Sequence, residues 1–587
     1  MNAILAIDCG STTTKAVLIV QKDGLHRLAG SAQSPTTVEA PYEDVMVGVW
    51  NSLEEAEALT GRHLVEGERL IRPGDSGRGV DLFVSTSSAG GGLQMVVAGV
   101  VGSMSSESAA RAALGAGAIV TGVLSVDDGR ESFERAAALK DWKPDMVLLA
   151  GGTDGGTVAH VASMAEVIRA ADPKPRFGTH ARLPVIFAGN QEASAEVLNI
   201  LGSVCEIETV PNLRPVLERE DLHPARETIH DFFLEHVMAR APGYERLMEM
   251  VDGEILPTPA AVGFLVRALS ERRSKNVMAV DIGGATTDVF SVFRGAFNRS
   301  VSANLGMSYS ASNVLEEAGH ARILRWLPFD MEREELENKI MNKTIRPTVI
   351  PQTVEDLSLE QAVAREALRL SFEQHRELAV SLKGVQQQRT IGDTFSQSRT
   401  GASLVDLTSL DLLIASGGCL SHAPRRQQAM AMVLDAFQLE GITEVMVDNV
   451  FMMPHLGVLA SVDEDIALAV MEKDCLVPLG TVVAPRGRRR GEGWALRVVF
   501  RGSKSPPALE IPWGEIAVVP LEPGSSLQAE IQPRSPLDLG EGRGKPVRST
   551  LRGGEVGLVF DARGRPLPEE PPDGAMSLWL ERLGALT

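Results

Sequence analysis

Cysteine is scarce in this chain. There are four among 587 residues (Cys9, Cys205, Cys419, Cys475), far apart, with no CxxC pair and no Cys/His ligand spacing. Neither a disulfide framework nor a structural zinc is therefore expected, and a reducing cytoplasm is the expected compartment. Aromatic residues are scarce too, 4% of the chain with three tyrosines, which leaves little material for base-stacking platforms. Basic residues are outnumbered, 57 Lys plus Arg against 77 Asp plus Glu, for a net charge of −20 spread as mixed-sign surface. Neither nucleic acid nor an anionic membrane is an expected partner. Met1 to Val20 lacks a basic n-region and a cleavage site, so no signal peptide is expected there. The one long uncharged stretch, Leu82 to Ser106, is broken by Ser85–Ser88 and Gly90–Gly92. It reads as strand, glycine turn and second buried element rather than a membrane span.

What is present is an ordinary apolar fraction, 44%, with 56 Gly and 32 Pro, the composition of a soluble multidomain protein. The front of the chain reads as strand, Ser/Thr-rich turn and strand through Val20, with another strand at Leu82–Val84. From Met95 to Pro211 strands alternate with helical patterns, which implies βαβ units and a doubly wound parallel sheet. Residues 226–273 read as mainly helical. A strand at Asn276–Val280 follows, then a long helix predicted from Ser358, where Ser358 and Gln361 have capping-box spacing. Ala364, Leu368 and Phe372 lie on one face of that helix. The last 112 residues hold 14 of the 32 prolines and short β-rich runs, and they carry 15 Lys plus Arg against 13 Asp plus Glu, so the acidity belongs to the body of the chain. This tail reads as a small all-β domain.

Three glycine turns each follow an apolar strand: Asp8-Cys-Gly10-Ser11-Thr12-Thr13-Thr14-Lys15, Asp281-Ile-Gly283-Gly284-Ala-Thr286-Thr287-Asp288, and Ile414-Ala-Ser-Gly417-Gly418. Glycine lets a backbone approach an anion, and N–H groups with neighbouring hydroxyls can donate to phosphate oxygens. The carboxylates would repel phosphate unless a divalent cation lay between them, and Mg²⁺ bridges carboxylate and phosphate while keeping several waters. For any one turn an ordinary hairpin is the competing reading. Two matching turns about 270 residues apart, with a third glycine turn, favour a Mg²⁺–nucleotide site. It is not a P-loop, because Gly10 to Lys15 leads into a strand.

These residues resemble the acetate kinase, sugar kinase, Hsp70 and actin superfamily of two-lobed ATPases, whose first phosphate loop, second phosphate loop and Gly-Gly adenosine motif occur in this order. The Thr-Thr-Asp ending at Asp288 is most similar to the hydrolytic branch. With Ser85–Gly92, Leu149-Ala-Gly-Gly-Thr-Asp-Gly-Gly156 and Asn304-Leu-Gly-Met-Ser-Tyr309, the set resembles the GlmL/MutL accessory proteins of adenosylcobalamin-dependent glutamate mutase over nearly the whole chain.

The resemblance implies an α/β fold with ribonuclease H-like lobes. The expected domains are 1–94 as first lobe, 95–225 as inserted α/β domain, 226–275 as helical connection, 276–475 as second lobe and 476–587 as β-rich domain. It further implies ATP and Mg²⁺ as ligands and mutase subunits as partners. The activity implied is ATP hydrolysis that changes lobe closure and releases damaged cobalamin from the client, which itself binds that cofactor. Carried over by motif, Asp8, Gly10, Ser11, Thr12, Thr13 and Lys15 hold phosphates and the metal shell. Gly283, Gly284, Thr286 and Thr287 hold phosphates from the other lobe. Asp281 positions the hydrated Mg²⁺ or the attacking water with support from Asp288, and Gly417 and Gly418 accommodate the nucleoside. A small-molecule kinase and an actin-like scaffold are the alternatives. His160 and His422 read as capping or surface residues and Arg486–Arg490 as a solvated turn, while Gly151–Gly156 is open between a second anion site and a packing turn.

Overall fold

The computed structural model describes every residue except 11–12, 39–40, 76, 89–92, 176–181, 239–240, 381–402, 489–490, 503–505, 573 and 587. Contacts divide the chain into two units: residues 1–268 with 380–402 and 452–474, and residues 269–379 with 403–451 and 475–587.

The first unit opens with β1 (Ala3–Cys9), β2 (Thr13–Lys22), β3 (Leu25–Pro35) and β4 (Leu82–Ser87). All seven residues of β1 are buried, as expected of a central strand covered on both faces. Helix Val45–Thr60 crosses between β3 and β4. Asp44 caps its N-terminus by accepting from the Met46 N–H at 2.9 Å, Gly61 ends it at φ 69°, and Val45, Val49, Leu53 and Ala56 form its buried face. The chain then builds β5 (Gln94–Gly99), β6 (Ile119–Ser125), β7 (Met146–Leu149), β8 (Leu183–Phe187) and β9 (Cys205–Thr209), all parallel, in the order β6-β5-β7-β8-β9. This is the doubly wound insert the alternation predicts. Last comes the short β10 (Leu256–Pro257), which completes the first sheet as β10-β4-β1-β2-β3.

The second unit repeats that plan. It holds β11 (Val277–Ile282), β12 (Thr287–Phe293), β13 (Ala296–Ser302), β14 (Leu412–Gly417) and β15 (Gly441–Asp448) in the order β13-β12-β11-β14-β15. In both units an antiparallel three-strand meander is followed by strands added parallel to its first member. The fold is thus the α/β, actin/Hsp70-like core with an insert, as the resemblance implied.

One expected boundary changes. Residues 452–474, including helix Met453–Ala460, belong with the first unit, where that helix packs on β1 and β4. The tail is β-rich as expected, and part of it extends the sheet of the second unit. Its β16 (Leu476–Ala484) pairs with all of β15, and beyond β17 (Trp494–Arg501), β18 (Leu509–Pro512), β19 (Ile516–Val519), β20 (Ser526–Pro533), β21 (Val547–Arg552) and β22 (Gly557–Asp561) the sheet reads β15-β16-β22-β19. The remaining four strands form an antiparallel sheet, β18-β17-β20-β21, whose Leu496, Val498, Ile531 and Leu551 share a core with Val483, Leu558 and Phe560 of the large sheet.

The long helix starts one turn before the predicted Ser358, at Val354. The Thr353 hydroxyl accepts from the Asp356 N–H at 3.1 Å, while Ser358 lies inside the helix and donates back to the Val354 carbonyl. Its Ala364, Leu368 and Phe372 are buried as predicted. His375 is fully buried near its end, its ring nitrogens 2.8 Å from the Ser291 hydroxyl and 2.9 Å from the Ser300 hydroxyl. Burial lowers its pKa to about 3. Unfolded chains protonate this histidine near pH 6.5 and the folded unit does not, so its stability is full above that pH and falls as the pH drops. Between pH 7.5 and 5 the expected loss is about 2 kcal/mol. Melting curves at pH 7.5 and 5.0 should show this drop in the native chain and a smaller one in His375→Gln; identical pH dependence in the two would contradict it.

Candidate nucleotide site

The first turn is a tight connection between β1 and β2. The Gly10 N–H donates to the Thr13 carbonyl at 3.1 Å, and a Cβ on Gly10 would lie 2.7 Å from that oxygen, so only glycine fits. The register sets Lys15 directly opposite Asp8 and places Thr86 of β4 on its other side. Lys15, Asp8 and Thr86 therefore stand in a row on one face of the sheet, which puts Lys15 on the side of the carboxylate. Asp8 is 8% exposed, and its Oδ1 accepts from the Thr86 hydroxyl at 2.9 Å and from the Thr258 hydroxyl at 2.7 Å. Thr258 opens helix Thr258–Arg273. Buried His455 donates through Nε2 to the Lys15 carbonyl at 3.2 Å, and burial depresses its pKa, which keeps the ring neutral. The Thr36 hydroxyl donates to the Gly10 carbonyl at 2.8 Å. Ser11 and Thr12 lie outside the described residues.

The second turn has the same construction. The Gly283 N–H donates to the Thr286 carbonyl at 2.8 Å, and Asp281 faces Asp288 across the hairpin as Asp8 faces Lys15. Two carboxylates directly opposite are unfavourable without a nearby cation. Arg299, buried on β13, offsets one of them with Nε and Nη2 donating to Asp288 Oδ1 at 3.0 and 2.6 Å. Asp288 is thereby held by Arg299, a supporting position beside Asp281. Thr287 is a correction: it is buried on the opposite face, and its hydroxyl donates to the Leu305 carbonyl at 2.5 Å, so it braces the turn and does not line it. Thr286, by alternation, shares the face of Asp281 and Asp288.

The Asn304–Tyr309 motif clamps this second turn. The Met307 and Ser308 N–H groups donate to the Gly283 and Gly284 carbonyls, each at 2.9 Å. A Cβ on Gly306 would come within 2.6 Å of the Gly284 and Ala285 backbone. Gly417 lies beside the turn, paired with Ile282, at φ 115°; a Cβ there would be 2.3 Å from the Ile282 carbonyl oxygen. Burial, with the Glu360 and Asp281 carboxylates nearby, pushes the Cys419 thiol up to about 12. Glu360 also lines a cavity of about 420 Å³, with Met307, Ile340, Lys343, Arg346 and Leu359. That volume suits a small-molecule ligand. Turn, Gly417–Gly418 and cavity thus adjoin within one unit.

Sequence reasoning missed Thr86, Thr258, His455, Arg299 and this cavity. Only Arg299 had a local signal, since its spacing from Asp288 suits two neighbouring strands of a meander. Asp8 and Asp281 each sit where a hydrated Mg²⁺ could be held jointly with phosphate. Among the described residues no three His, Cys, Asp or Glu side chains form a metal cluster. Asp8 in one turn and Asp281 in the other, with Asp288 tied to Arg299, stand on a backbone that admits close approach, and such sparse carboxylates fit a cation that keeps its waters.

A family model described as MutL protein matches residues 4–475. Protein MutL of Clostridium tetanomorphum is 29% identical over 503 residues, covering 81% of this chain and 99% of that protein. Solved structures superpose only loosely. Nucleotide-free acetone carboxylase gives a TM-score of 0.31 at 14% identity, over 87% of this chain and 81% of that one. Xylulose kinase from Bifidobacterium adolescentis gives 0.29 at 13% identity, over 82% and 96%. The fold assignment accordingly rests on the repeated strand order. Among the described residues no helix is long and apolar enough to cross a membrane.

Proposed function

Because the chain belongs to the MutL family, the accessory proteins of adenosylcobalamin-dependent glutamate mutase, we propose that it is an ATP-dependent reactivating factor for such a mutase. The observation that carries this reading is the duplicated turn: a glycine N–H closing on the carbonyl three residues ahead, an aspartate two residues before it, and the same register seven residues on. In this proposal the phosphate donors are Thr13 and Lys15 of one unit and Gly284 and Thr286 of the other, while Gly10 and Gly283, whose N–H groups close the two turns, contribute the bare backbone that lets the phosphates come close. Asp8 and Asp281 would hold Mg²⁺ through its waters, and the ion would supply charge neutralisation at the transferring phosphoryl group.

Asp281, held close to Asp288, accepts a hydrogen bond from the attacking water and aligns it. Asp288, held by two hydrogen bonds from Arg299, fixes that geometry. Asp8 is held in one orientation by two threonine hydroxyls, so it need not reorganise when the cation arrives. The nucleoside lies over Gly417 and Gly418 with its base in the 420 Å³ cavity. A slow ATPase suffices for an accessory factor, whose product is the active mutase.

The test is to inactivate glutamate mutase with hydroxocobalamin, then add this protein, ATP, Mg²⁺ and fresh adenosylcobalamin. Restored turnover that depends on ATP supports the proposal. Phosphorylation of a small acceptor without restored turnover would replace it with the kinase reading.

A further inference from the structure

The strand order of the insert creates a second place for a ligand. In an open parallel sheet, ligands bind beyond the carboxyl ends of the strands, at the point where the strand order reverses. In β6-β5-β7-β8-β9 that point lies between β5 and β7.

The loops leaving these two strands are tied in opposite directions. The loop after β5 is anchored towards β6: the Gly102 N–H donates to Asp127 Oδ1 at 2.8 Å, the Ser106 hydroxyl to the Leu124 carbonyl at 3.1 Å, and the Val126 N–H to the Val100 carbonyl at 3.2 Å. The loop after β7, Gly151–Gly156, is anchored towards β8 and β9. Asn190 Nδ2 donates to the Gly156 carbonyl at 2.9 Å, Asn212 Nδ2 to the Gly152 carbonyl at 3.0 Å, and the Asp154 N–H to the Pro215 carbonyl at 3.0 Å.

At the floor the strands still touch, since a Cβ on Gly151 would lie 2.5 Å from the Val100 side chain. Beyond that floor the two loops are held to opposite neighbours. One wall is the π-helical turn Gly102–Ser106, a form concentrated at functional sites. The other is Gly152–Thr153, whose N–H groups meet no acceptor among the described residues.

The charges around the crevice select among anions. Asp127 is spent on Gly102, Asp154 Oδ1 accepts from Asn212 Nδ2 at 2.9 Å and from the Gln191 N–H at 3.2 Å, and Glu192 Oε2 accepts from the Gly155 N–H at 2.7 Å. Three fixed carboxylates disfavour a terminal phosphate dianion, while the free backbone donors still suit a single negative charge. The first βα turn, Gly99-Val-Val-Gly102, lacks the GxGxxG fingerprint of dinucleotide cofactors.

We propose that this crevice binds a nucleotide-type ligand through a singly charged phosphodiester, independently of the ATP site. Two sources share that chemistry: a free dinucleoside monophosphate, and the nucleotide tail of a cobalamin. Equilibrium binding to the full chain would compare adenylyl-adenosine, cyanocobalamin, ADP and inorganic phosphate. Ser103→Tyr and Thr153→Tyr would plug the two walls at positions outside the core.

The expected result is saturable binding of one phosphodiester probe per chain, weakened at least tenfold by either plug and unchanged by Asp281→Ala. Cyanocobalamin alone binding would assign the cofactor tail as the source, and adenylyl-adenosine alone the free nucleotide. The proposal is overturned if neither phosphodiester saturates, if both plugs leave binding unmoved, if ADP or phosphate binds the crevice more tightly, or if Asp281→Ala abolishes binding. A plug variant counts only if its melting temperature matches the native chain.

Discussion

Asp281→Ala is expected to lower ATP hydrolysis at least a hundredfold while leaving the protein as stable as before. Loss of one preorganised group acting on the transition state costs about 2.7–4 kcal/mol in other enzymes, a factor of roughly 10² to 10³ in rate. The stability side of the expectation comes from the register. Asp281 faces Asp288 directly, so removing it relieves a like-charge contact and leaves Arg299 still paired with Asp288. Steady-state phosphate release and a melting curve on the same sample check both halves. Hydrolysis within twofold of the native rate would remove Asp281 from the proposed mechanism. A collapse in melting temperature would instead assign it a structural role.

The second large effect is on folding. Asp561 is fully buried and accepts from Arg563 Nε at 3.0 Å, Arg563 Nη2 at 2.9 Å and Arg565 Nη2 at 2.7 Å. Arg563 Nη1 continues to Asp435 Oδ1 at 2.7 Å, and Arg365 Nε donates to Asp435 Oδ2 at 2.8 Å. Burial alone would raise the Asp561 pKa, but the two arginines outweigh it and hold the carboxyl far below the ordinary range. Asp561→Ala leaves buried Arg565 with carbonyl acceptors only and leaves Arg563 to share Asp435 with Arg365. Breaking a buried pair from one side costs about 3–5 kcal/mol, which for a unit of this size lowers the melting temperature by roughly 10 °C. Trp579, with the Arg563 guanidinium 5.0 Å from its ring centre, gives a fluorescence signal for the transition. A shift under about 2 °C would mean that the network contributes little.

What could be read from the sequence was local. A strand ending in Asp, then glycine and hydroxyl residues, specifies a tight turn through neighbouring residues, so both turns fell where they were expected. The alternating period of 95–211 revealed the parallel insert for the same reason. Partners distant in sequence could not be read. Asp8 is oriented by Thr86, Thr258 and the His455-braced strand, which lie 78, 250 and about 440 residues away. Whether Lys15 points towards the carboxylate depends on the β1/β2 register, which a sequence pattern does not give. The long helix was predicted to begin too late because Ser358 satisfies the spacing of a cap, whereas Thr353, preceding an acidic first turn, forms one. The tail's strands were recognised as strands, but periodicity does not say which sheet a strand joins.

That last point has a consequence for ancestry. The match to the family model stops at residue 475, one residue before β16 begins. Yet β16 saturates the whole outer edge of β15, and without it a row of bare backbone groups would invite aggregation. The unit of inheritance and the unit of folding therefore end at different places. A relative that has a different sequence after this point must still supply some strand or cover for β15, so divergence of the tail is free in composition but constrained at its first nine residues.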